Sequence, residues 1–153
     1  MSVFARMAVA VGLVALSVPV NASIPHSQRF GPWSVTSLSS VSGDGSGEDD
    51  GPLFWLYQDR DGAELKAEWK STELRISIAV DNCSAEDDFF QTYDIPSDVV
   101  YNTPKRQLID RMKTDFSTWI AQAKFVCEND RQIEALDLRR FNAAASYYID
   151  RIR

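Results

Sequence analysis

Carboxylates dominate the side chains of this 153-residue chain that could do chemistry, and their densest run, Glu86, Asp87 and Asp88, leads directly into Phe89 and Phe90. Desolvation beside the two rings would raise one carboxyl pKa and leave another ionised, the division of labour that acid–base hydrolysis requires. Three successive acids point in divergent directions on any backbone, however, and the sequence offers no evident second partner. Acids followed by aromatics also make a contact edge, the charges drawing in a basic protein and the rings burying against it. Glu86, Asp87, Asp88, Phe89 and Phe90 are therefore assigned to partner binding, and no residue to catalysis.

Two other acidic stretches invite a metal. Asp59-Arg60-Asp61-Gly62, with Glu68 six residues after the glycine, places acids where an EF-hand calcium loop has positions 3, 5 and 12. Position 1 would be Tyr57 and the apolar position 8 would be Glu64, and both flanks alternate like strands where an EF-hand needs helices. A tight hairpin turn, with Asp-Gly supplying the positive φ angles, accounts for the same residues. The glycine-rich loop holding Asp44, Glu48, Asp49 and Asp50 matches no ligand spacing and reads as a solvated surface loop. No metal and no cofactor is expected.

Basic residues are sparse, and Lys105 with Arg106 opens a helix whose dipole would prefer acids there. The pair makes a candidate anion site. Pairing with Asp94 or Asp98 just upstream is the alternative, and the one the proximity in sequence favours. Nucleophilic catalysis finds little: His26 is the sole histidine and lies in a polar lead-in, and neither G-x-S-x-G, a P-loop nor a dinucleotide-binding glycine pattern occurs.

The N-terminus sets the environment. Residues 1–6 are short and basic, 7–20 form an apolar run interrupted by Ser17 and Pro19, and Val20-Asn21-Ala22 has the small residues of a signal-peptidase site. A run of fourteen residues falls short of the ~20 that a membrane-spanning helix needs. Residues 1–22 thus read as a signal peptide, and the absence of a Cys after the run argues against a lipoprotein. A soluble protein, periplasmic or extracellular, is expected. Arg6 is the only charge in the leader, so the mature chain has 15 basic against 22 acidic side chains and a formal net charge of −7. That acidity excludes nucleic acid as a natural partner and favours a basic protein. Cys83 and Cys127, 44 residues apart in no zinc or redox pattern, are expected to form a disulfide in an oxidising compartment.

These candidates must be positioned by a single domain of residues 32–153, preceded by an extended lead-in at 23–31. Residues 33–41 read as a bulged strand, because the alternation of Trp33 and Val35 slips near Ser37. Residues 53–58 and 64–70 form a hairpin, and 73–80 alternate most cleanly, with Leu74, Ile76, Ile78 and Val80 on one side. Residues 89–95 supply a further edge strand. Thr103 caps a long helix with Pro104 in its first position, and Leu108, Ile109, Met112, Phe116, Trp119, Ile120, Ala123 and Val126 form its apolar stripe. Residues 132–138 are expected to be a last strand and 139–153 a terminal helix carrying Phe141, Ala144, Tyr148 and Ile152 inward. The sum is α+β: an antiparallel sheet of four to six strands, with a long helix and a C-terminal helix on one face and one disulfide.

The function expected of such a chain is binding, one concrete form being an inhibitor of a basic cell-wall enzyme. A carboxylate-dependent hydrolase and a structural component of the cell envelope are the alternatives.

Overall fold

A computed structural model describes residues 26–38, 53–85, 87–128 and 131–153. The expected signal peptide at 1–22, the 44–50 loop and Glu86 lie outside the described residues. Among the described residues, six strands form one antiparallel sheet in chain order: β1 (His26–Phe30), β2 (Trp33–Leu38), β3 (Leu53–Arg60), β4 (Ala63–Trp69), β5 (Glu73–Val80) and β6 (Phe89–Pro96). Four helices follow among them: α1 (Ser97–Asn102), α2 (Lys105–Val126), α3 (Arg131–Glu134) and α4 (Phe141–Ile152). The class is α+β, as the grouping of strands before helices implies.

Period-two alternation decides the two faces. In β4 and β5 every second residue is buried, with Leu65, Ala67, Leu74, Ile76 and Ile78 inaccessible. The helices cover that face: α2 brings Leu108, Met112 and Phe116, and α4 brings Phe141, Ala144, Tyr148 and Ile149. Trp33 stacks on Phe116 at 5.9 Å and tilts against Phe141 at 5.0 Å, joining β2 to both helices. The outer end of the α2 stripe breaks the pattern, since Val126 is half exposed beside a fully exposed Phe125.

The disulfide joins Cys83, just past β5, to Cys127, the residue that ends α2, with Cα atoms 4.4 Å apart. The Glu128 N–H donates to the Cys83 carbonyl at 2.8 Å, so the same junction is tied twice.

Four sequence expectations need correction. Residues 132–138 do not form a strand: β1 and β6 are the two edges of the sheet, and the segment folds into the short α3, which buries Ile133. The Gln58 side chain takes the place of a strand partner, its Nε2 donating to the Asp137 carbonyl at 2.6 Å and its Oε1 accepting the Asp137 N–H at 2.8 Å. Nor is β2 bulged. It pairs in continuous register with β1 and β3, and Ser37 simply occupies the third inward position after Trp33 and Val35. The lead-in is paired as well, from His26 to Phe30, as edge strand β1. Finally, Thr103 ends α1 and does not cap α2. The residue before a proline is driven to extended geometry, and Thr103 has ψ 131°, so Pro104 becomes the N-cap and Lys105 the first helical residue.

Candidate functional site

Away from the helices, the open face of the sheet carries cross-strand rows that differ in how their charges are used. Trp55, Glu68, Arg75 and Asp94 form one row. It is internally satisfied: the Trp55 indole N–H donates to Glu68 at 3.2 Å, and the Arg75 guanidinium grips Asp94 at 2.8 and 3.1 Å. That pairing holds the Asp94 carboxyl below its ordinary pKa. A central row of Arg29, Ser34, Tyr57, Lys66, Ser77 and Thr92 has two charges, both basic. The last row, at the hairpin end, is Asp59, Glu64, Ala79 and Phe90.

This last row forms because the β3–β4 turn has only two residues. Asp61 (φ 48°) and Gly62 (φ 93°) both take left-handed geometry, which matches the twist of the flanking strands. Arg60 then pairs with Ala63, and Asp59 falls directly opposite Glu64 on the open face. Asp81 joins them from the end of β5, its N–H donating to the Gly62 carbonyl at 2.8 Å. Asp59, Gly62, Glu64, Ala79 and Asp81 line a concavity of about 350 Å³.

Among the described residues no ion pair engages the carboxyls of Asp59, Glu64 or Asp81. Partial burial raises the Glu64 pKa above its ordinary value, with repulsion from Asp59, Asp81 and Glu68 adding to it and Lys66 opposing it. The lining offers acceptor oxygens and no basic side chain, so the group it suits is a cation. No group of three or more His, Cys, Asp or Glu side chains is placed to hold a metal ion among the described residues.

The residues singled out from the sequence are distributed around this site unevenly. Asp87 and Asp88 sit in the β5–β6 connection beside Cys83 and serve partly as loop closers. Asp88 Oδ1 accepts the Asn82 N–H at 2.7 Å, and the backbones of Ser84 and Asp87 are hydrogen-bonded at 2.9 Å. Phe90 is 59 % exposed and belongs to the acidic row, whereas Phe89 packs partly against the core. Lys105 is engaged by Asp150 of α4 at 2.9 and 3.1 Å. The expected partners are thus corrected: Asp94 belongs to Arg75, and Asp98 uses its carbonyl to hold Asn102. Arg106 is exposed. His26 is exposed on β1.

Sequence reasoning missed Asp59, Glu64 and Asp81 as a group. The signal was present for two of them, since a two-residue Asp-Gly turn sets Asp59 against Glu64 by counting. Compared with known protein families, curated proteins and solved structures, the chain matches none.

Proposed function

We propose that this protein is an exported binding module for a basic protein, engaged at the acidic end of the open sheet face. Asp59, Glu64 and Asp81 receive a Lys or Arg side chain of the partner. Asp87 and Asp88 extend the negative field that steers it, and Phe90 supplies apolar contact. The observation that carries this reading is three acidic residues, Asp59, Glu64 and Asp81, lining one concavity with no ion pair among the described residues. Like charges facing each other across strands destabilise a sheet, and a cation brought by a partner relieves that repulsion. The disulfide is compatible with an oxidising compartment, and no helix of the described residues is long and apolar enough to cross a membrane. An inhibitor of a basic cell-wall enzyme is one form such a module takes.

A second reading has its own observation. Glu64 with a raised pKa beside Asp59 resembles the acid and base of a hydrolase. Binding ranks first because the side chains lining the concavity include no Lys, Arg, His, Ser or amide to orient a substrate or receive developing negative charge.

The two are separated by comparing the wild type with D59N/E64Q/D81N. The wild type should retain a basic protein from envelope extract at low salt and release it at high salt, and the triple variant should retain none. Equal capture by the variant, or no capture by the wild type, removes the binding proposal. Cleavage of peptidoglycan by the wild type that is lost in E64Q would establish the hydrolase instead.

A further inference from the structure

The tip of the β3–β4 hairpin stands between two concavities of opposite character. On the far side from the acidic one is a larger hollow of about 970 Å³. Arg60 reaches it because it pairs with the inward-facing Ala63, whereas its neighbour Asp59 faces the open side. Asp61 adjoins it at the hairpin tip, Gly31 and Pro32 come from the β1–β2 turn, and Ala135, Asp137, Arg139 and Arg140 come from the segment between α3 and α4. Three stretches remote in sequence thus meet at one place.

The hollow is firmly built. Gln58, 1 % exposed, uses both ends of its amide on the Asp137 backbone and fixes the α3–α4 segment against β3. The Asp137 carboxylate accepts the Arg139 backbone N–H at 2.7 Å and is also bonded to Arg139 Nε, which sets the direction of that guanidinium. Arg140 has left-handed backbone, φ 64°, a conformation that non-glycine residues rarely hold without a reason in the surrounding structure. Its stem rests against Gly31, where an added Cβ would come within 3.1 Å of Arg140 Cγ.

Three arginines and two acids, Asp61 and Asp137, line the hollow, on a chain whose formal net charge is −6. Arg60 and Arg140 make no ion pair among the described residues. All the cations are arginine, whose planar fork matches the two oxygens of a carboxylate or phosphate. The volume falls within the range of small-molecule sites.

We propose that this hollow binds a small anionic ligand through its carboxylate or phosphate group, held by Arg60 and Arg140 with Arg139 positioned beside them by Asp137. The site is separate from the acidic face and stands whether or not a basic protein binds there.

The test is amide chemical-shift titration of the intact chain with inorganic phosphate and, separately, with citrate. Saturable shifts at Gly31, Ala135 and Arg140 are expected, and the probe that saturates first identifies the oxyanion. R60Q/R140Q should weaken binding at least tenfold with the rest of the spectrum preserved. K105Q, which removes a cation from the start of α2, should leave it unchanged. R60K/R140K covers the case in which the glutamine variant fails to fold: it keeps the charge and loses the fork, so it should also bind more weakly. No saturation by either probe, full affinity in R60K/R140K, or equal losses in K105Q and R60Q/R140Q would overturn the assignment.

Discussion

Replacing Glu64 with Gln should stabilise the fold while weakening its hold on a basic partner. Glu64 faces Asp59 in direct cross-strand register and shares a concavity with Asp81, with no ion pair to offset them among the described residues. Opposed like charges on neighbouring strands cost about 0.2–1 kcal/mol. Gln keeps the shape, removes one charge and offers an N–H to the remaining carboxylates. For a domain of this size a gain of that order raises Tm by about 1–5 °C. The pH dependence tests whether the Glu64 charge, which is both partly buried and repelled by Asp59 and Asp81, is the cause. Because the folded-state pKa of Glu64 lies above 4.5, its contribution to stability is fully present below 4.5 and is lost as pH rises through the folded value. The Tm advantage of E64Q should therefore be absent in acid and complete at neutral pH. Thermal melts of both proteins across that range, with binding of the captured partner measured in parallel, make the test. A variant less stable than wild type at neutral pH would mean that the Glu64 charge is structurally satisfied, and the reasoning for an incoming cation would fail.

Removing the disulfide with C83A/C127A should cost about 4 kcal/mol on the chain-entropy estimate for a 44-residue separation. Urea unfolding measures this, and a loss below about 1 kcal/mol would mean that core packing alone holds the end of α2 to the sheet. Tyr148, buried and donating to the Phe54 carbonyl at 3.0 Å, has a pKa raised by burial and by Glu68. Its share of stability is intact below its unfolded value near 10 and lost as pH rises toward the higher folded value. Y148F should be less stable by about 1 kcal/mol at neutral pH. Its urea midpoint should also fall less steeply than that of wild type above pH ~10. Parallel slopes would locate the alkaline sensitivity elsewhere.

Much of the fold is legible because its signals are local. The alternations in 64–70 and 73–80 name β4 and β5 and their inward faces, and the helical spacing from Leu108 to Ala123 names α2. Asp61-Gly62 identifies the hairpin and, through it, two of the three acids of the site. Misreadings arose where a neighbour overrode the local pattern. Residues 132–138 have strand-like composition, yet the Gln58 amide meets the Asp137 backbone and leaves the segment free to turn into α3. Lys105 takes its partner from α4, 45 residues along the chain, rather than from the adjacent Asp94 or Asp98.

By itself, then, the sequence determined the strand and helix faces, the pairing of the two cysteines and the opposition of Asp59 to Glu64, since each follows from a short-range period or from elimination. The tertiary structure alone decided that Asp81 completes the acidic concavity and that Arg60 shares a hollow with Arg139 and Arg140. The reason is geometric. Such meetings depend on several strand registers taken together and on how α4 docks against the sheet, and no window of sequence encodes that sum.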